Sequence, residues 1–254
     1  MYLDFNFIKM YSFRMRIIFI IFLSFIYVII FPAITKMQKK TEIKIKNFLY
    51  SFIFSCLAFI VSIILQNFLA YLFIEFIKNS KQILTLYQNF FEAAFIEEIS
   101  KVLFFLIFIK IDTTALEHSR RTSGIELSAG INSGYKEIDI KTLLYFGVFF
   151  GLIFSSFENI AYSIHTGNFI PVRLVTANLL HGFLTLYYIK IHIAHSLKHK
   201  IIFFTKTFLL HGLYNIFFNI GGYFIIFSCA ILIFIIFTFV GFYNENKYFV
   251  KNKI

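Results

Sequence analysis

The residues of this chain able to do chemistry are Glu97, Glu98 and Lys101, then Glu158 with Asn159, then His181 with Thr185, and last His211 with Asn215. All of them lie inside apolar stretches. An ionised side chain in the middle of a membrane helix costs about 2.5–3.5 kcal/mol on insertion scales. Charges packed as closely as Glu97, Glu98 and Lys101 must therefore pair, face water or react. Helical spacing lets Lys101 reach Glu98, three residues before it, or Glu97, four before it, which lowers the cost of keeping a carboxylate ionised. Acids beside imidazoles in a watered cavity suit two chemistries, metal binding and activation of water. Without metal, a carboxylate takes a proton from water, the water attacks a peptide carbonyl, and an imidazole or the Asn215 amide stabilises the oxyanion. With metal, Glu158, His181 and His211 form a two-His, one-carboxylate set for a divalent ion such as zinc, and Glu98 serves as base. The single-helix zinc signal H-E-x-x-H is absent.

The elements that must position these residues are membrane helices. Hydrophobic residues make up 59% of the 254, charged residues 15%, and apolar runs of about 20 residues recur. The expected fold class is all-α: a polytopic membrane protein of about seven transmembrane helices around a polar intramembrane cavity, with residues 1–254 forming one integral membrane domain. The spans are expected at 17–34, 48–73, 90–110, 143–164, 172–193, 201–220 and 223–243. The first lacks a small-x-small cleavage pattern and reads as an uncleaved helix rather than a signal peptide. A polar connector is expected at 78–89, and residues 111–141 read as a flexible cytoplasmic loop. The net charge of +11 is read as topology, not nucleic-acid binding. Cys56 and Cys229 stand alone in apolar runs as small hydrophobes.

Of the 24 Lys and Arg, 17 fall on one side of the seven spans and six on the other, with Lys101 inside. The basic side, holding the C-terminus and the long loop, is expected in the cytoplasm. Counted at 1.5 Å per residue, Glu97, Glu98, Glu158, Asn159, His181, His211 and Asn215 then share a depth of roughly 8–14 Å below the outer boundary. His181–Thr185 and His211–Asn215 each share a helix face. Both histidines sit in the tetrapeptide Leu-Leu-His-Gly, at 179–182 and 209–212, where the glycine admits a close neighbour. Thr185 and Asn215 also suit interhelical hydrogen bonding, and Gln66, Asn67 and Glu75 suit packing. His192, His195 and His199 read as solvated.

Glu97-Glu98-Ile-Ser-Lys101 matches an E-E-x-x-K motif, and Phe154-Ser-Ser-Phe-Glu158-Asn159 resembles an F-x-x-x-E-N element. With His181-Gly-Phe-Leu-Thr185 and His211-Gly-Leu-Tyr-Asn215 following in order, residues 90–220 resemble the PrsW-type intramembrane proteases of the CAAX protease and bacteriocin-immunity superfamily. The resemblance implies an endopeptidase of the bacterial cytoplasmic membrane that cuts a membrane-anchored protein, such as an anti-sigma factor, on the extracytoplasmic side. Glu97, Glu98, Glu158, His181, His211 and Asn215 would form its site, with Glu98 the first choice as base and Lys101, Asn159 and Thr185 in support. It leaves open whether the enzyme uses a metal. Its partners would be the lipid bilayer and a membrane-anchored substrate, with no nucleic acid. Buried acids and imidazoles also build proton- or ion-coupled transporters, although the chain has no inverted repeat; an immunity or scaffold protein is the other alternative.

Overall fold

The computed structural model describes residues 26, 28, 30, 45–77, 80–122, 140–166 and 171–249. All regular structure among them is helical. Helix α1 is Ile45–Ile77 and α2 is Lys81–Leu86; a π-helical segment, Tyr87–Phe95, then runs directly into α3, Ile96–Thr122. Helices α4 (Ile140–Thr166), α5 (Pro171–Ile193), α6 (Leu197–Ile220) and α7 (Ile225–Phe249) follow, the last two joined by the 3-10 turn Gly222–Phe224. Pro171 opens α5, where its missing N–H costs nothing. Gly221 and Gly222 take φ of 75° and 57°, a left-handed turn that other residues adopt only with strain.

Five described helical stretches are long and apolar enough to cross a bilayer: Lys46–Phe73, Thr142–Ile164, Val172–Ile193, Leu197–Ile220 and Gly222–Glu245. This is the architecture of a multi-pass membrane protein. They correspond to five of the seven expected spans. The expected span at 17–34 lies almost wholly outside the described residues. The one at 90–110 is helical, but it is not among the five, because Glu92, Glu97, Glu98, Lys101 and Lys110 crowd it with charge.

Three expected boundaries change. The connector at 78–89 is largely helical: Ser80 caps α2 by accepting the Ile83 N–H at 3.4 Å, and the π-helical segment starts at Tyr87. The loop expected at 111–141 is helical as far as Thr122, because no Gly or Pro interrupts the chain before Gly124 and Ala115, Leu116 and Glu117 favour helix. Residues 123–139 lie outside the described residues. The sixth helix starts early, at Leu197, where Ser196 accepts the His199 N–H at 3.2 Å.

Helices α4 and α5 form the centre, with 72% of each apolar window buried, against 22% for α1 and 17% for α7. One aromatic cluster, containing Phe105, Phe108, Phe146, Phe150, Phe154 and Tyr188, ties α3 to α4 and α5. A second, with Leu180, Leu184, Tyr214 and Ile235, ties α5 to α6 and α7. The α4 and α5 backbones touch at Gly151, where a Cβ would lie 2.2 Å from the His181 carbonyl oxygen. Ser51 and Ser55 fasten α1 to α4 by donating to the carbonyls of Phe146 and Phe150 at 3.3 and 2.8 Å. Cys56 and Cys229 are free thiols.

Candidate functional site

Glu98 is the hub. It is fully buried, and both its oxygens are engaged. Oε1 accepts from Lys101 Nζ and lies 2.9 Å from His211 Nδ1, and Oε2 accepts from the Tyr188 hydroxyl at 2.5 Å. The buried Lys101 ammonium is thus paired as its cost demands. It also lies 2.8 Å from His181 Nδ1 and 4.5 Å from the centre of the Phe154 ring. Because an ammonium only donates, His181 Nδ1 must be the bare nitrogen of its ring. The ring proton therefore sits on Nε2, which faces Glu158 Oε2 at 2.7 Å. Arg173 Nη2 donates to the other oxygen of Glu158 at 2.8 Å, while the guanidinium carbon rests 4.3 Å from the Tyr162 ring centre. A continuous line of contacts thus runs from Tyr188 through Glu98, Lys101, His181 and Glu158 to Arg173.

Glu97 stands differently. Its Oε1 accepts from Gln66 Nε2 at 3.2 Å, but its Oε2 is buried without a hydrogen-bond partner. Lys101 Nζ is 4.0 Å from that oxygen and His211 Nε2 is 3.9 Å away. His211 Nε2 is likewise buried and unpartnered. Since Nδ1 of that ring faces a carboxylate and must donate to it, Nε2 is a bare acceptor. Two such atoms, one on α3 and one on α6, therefore face each other at 3.9 Å. A cavity of about 390 Å³ adjoins Glu97, and its walls also include Glu158, Arg173, Gln66, Asn215 and Asn219. Glu98, His181 and His211 lie behind that wall and do not line it.

No protein-family model, curated protein or solved structure matches this chain.

Of the residues singled out in the sequence, Glu97, Glu98, Lys101, Glu158, His181 and His211 come into one cluster. The two imidazoles meet edge to face with centres 4.8 Å apart. Asn215 joins the wall of the cavity. Asn159 turns away from it, donating to Asn178 Oδ1 at 3.1 Å and Ser155 Oγ at 3.3 Å to knit α4 to α5. Thr185 also serves packing: it donates to the Gly182 carbonyl at 2.6 Å and fills the space left by Gly147. The triplet His192, His195 and His199 offers no converging ligands. Among the described residues, the group of three that does is Glu97, His181 and His211, with ligand atoms within 4.8 Å of one another. Glu158, the carboxylate expected beside the two histidines, gives one oxygen to Arg173 and keeps Oε2 without a hydrogen-bond partner, 2.7 Å from His181 Nε2. Two of the three donor groups, Glu97 and His211, keep an unpartnered buried atom, while a divalent ion would have to displace Lys101 from His181 Nδ1.

The sequence reading missed Tyr188 and Arg173 and gave Gln66 only a packing role. Tyr188 lies seven residues after His181 and Arg173 eight before it, which places both on the His181 face of α5. That spacing is the signal that finds them.

Proposed function

We propose that the chain is an intramembrane endopeptidase of the PrsW type, with its site in a polar cavity of the seven-helix bundle on the side poorer in Lys and Arg. Its substrate is a membrane-anchored protein. The observation that carries this reading is the pair of unpartnered atoms, Glu97 Oε2 and His211 Nε2, with Glu97 in the wall of a cavity large enough for a peptide segment. In this reading both accept a hydrogen bond from one water, which leaves an oxygen lone pair free to attack a peptide carbonyl. As the C–O bond forms, the water proton passes to Glu97, and the Asn215 amide donates to the developing oxyanion. Glu97 then returns the proton to the departing amide nitrogen as the C–N bond breaks, and the second water proton follows from the acyl oxygen to the amine, giving a carboxylate and an ammonium. Glu98 acts as a positioning residue: it fixes the His211 tautomer and holds Lys101, which in turn orients His181. This makes Glu97, rather than Glu98, the base. A divalent ion such as zinc would find ligands in Glu97, His181 and His211, and when bound it would make a coordinated water more acidic.

The test compares new protein N-termini in membranes of cells making wild-type protein or Glu97→Gln at matched levels. A set of cleavage sites near membrane boundaries in wild type alone is the expected result. No difference between the two would reject proteolysis. Loss of an ion-dependent flux in vesicles carrying Glu97→Gln, without any change in N-termini, would identify a transporter instead.

A further inference from the structure

A second cavity, of about 670 Å³, opens where the C-terminal ends of α5 and α7 meet the start of α6. It lies about 25 Å along α5 from Arg173 and shares no residue with the site above. Its walls include Lys190, His195, His199, Phe203, Phe242 and Glu245. Lys190 Nζ is held among three rings, 5.1 Å from the centre of Phe242, 5.6 Å from Tyr187 and 5.9 Å from Phe203. Such contacts fix a long side chain while leaving its N–H groups for another acceptor. The His199 ring is set by Ser196, whose Oγ lies 2.9 Å from Nδ1, so its Nε2 is the nitrogen left for a ligand. Lys198, Lys200 and Lys206 add positive charge on the same helix, and Glu245 is the one acidic residue of the wall.

The surroundings narrow the ligand. Ile193, Leu197 and Ile201 sit at this end with 42, 72 and 55% of their surface exposed. A soluble anion gains nothing from such an apolar collar, whereas a phosphate joined to acyl chains fits both parts. We propose that this cavity binds the phosphate group of an anionic phospholipid, with Lys190, His195 and His199 as its donors. The end of the bundle it occupies is the one richer in Lys and Arg, and membrane surfaces draw such clusters to anionic headgroups.

Native mass spectrometry of the purified full-length protein tests this with phosphatidylglycerol, phosphatidylcholine and glycerol phosphate as probes. Phosphatidylglycerol should be retained over phosphatidylcholine, and Lys190→Gln should weaken its retention about fivefold. His199→Gln, on an exposed position, should weaken it in the same direction. Glu245→Gln should strengthen it, an opposite sign that misfolding cannot produce. Equal retention of the two lipids, or retention unchanged in Lys190→Gln, overturns the proposal. Displacement of the lipid by equimolar glycerol phosphate would assign the cavity to soluble phosphate esters and overturn the lipid source. None of these variants touches Glu97 or His211, so the outcome is independent of whether the chain is a protease.

Discussion

The chain contains Leu-Leu-His-Gly twice, at 179–182 on α5 and at 209–212 on α6, and the two copies do different work. His181 contacts partners at both ring nitrogens, Lys101 on one side and Glu158 on the other. His211 has a partner only at Nδ1, and its Nε2 is left bare beside Glu97. The glycines differ as well. A Cβ on Gly212 would lie 2.3 Å from the Phe90 ring, whereas one on Gly182 would meet Leu152 at an ordinary 3.6 Å. The same four residues thus give a histidine contacted at both nitrogens on one helix and one with an unpartnered nitrogen on the other. Neighbours decide the difference: α5 runs through the buried centre, with 72% of its apolar window buried, against 33% for α6.

The histidine pair offers the largest break in that comparison. His181→Ala strips a partner from both buried Lys101 and Glu158 and should cost about 3–5 kcal/mol. His211→Ala leaves Glu98 with Lys101 and Tyr188 and should cost less, about 1–3 kcal/mol. Thermal unfolding of both variants in the same detergent measures the gap, and equal losses would erase the distinction. The glycine pair comes next. Gly212→Ala drives a methyl into Phe90 and should cost about 1–3 kcal/mol, whereas Gly182→Ala should stay within about 0.5 kcal/mol. The reverse order would mean that the α6 contact is not the tight one. A narrower test is Tyr188→Phe, which keeps the ring and removes one hydrogen bond to Glu98. It should cost about 1.5 kcal/mol and add less than that to His211→Ala, because both act on Glu98. Full additivity in a double-mutant cycle would show that they do not share that carboxylate.

Most of the cluster was legible because charge inside an apolar run is costly enough to demand partners. Counting residues from the span ends brought Glu97, Glu98, Glu158, His181 and His211 together, as the structure does. Which of two adjacent acids faces the cavity was not legible. Glu97 and Glu98 differ by about 100° of helical rotation, and the wider π-helical turns at Tyr87–Phe95 change the register just before them. Arg173 escaped notice because an arginine two residues inside a helix end looks like one reaching for water. Tyr188 was hidden beside Tyr187 in a chain with 15 tyrosines. The helix from 111 to 122 was missed because polar composition was read as loop where no breaker interrupts it.

In the proposed mechanism Glu97, with His211, holds the attacking water, while Glu98 organises its neighbours. It is tested most directly by Glu97→Gln reconstituted in proteoliposomes with a substrate identified from the N-terminal comparison. Cleavage should fall by about 10²–10⁴-fold while the unfolding temperature stays close to that of wild type, since Glu97 Oε2 has no hydrogen bond to lose. Cleavage by Glu97→Gln at the wild-type rate would contradict the account.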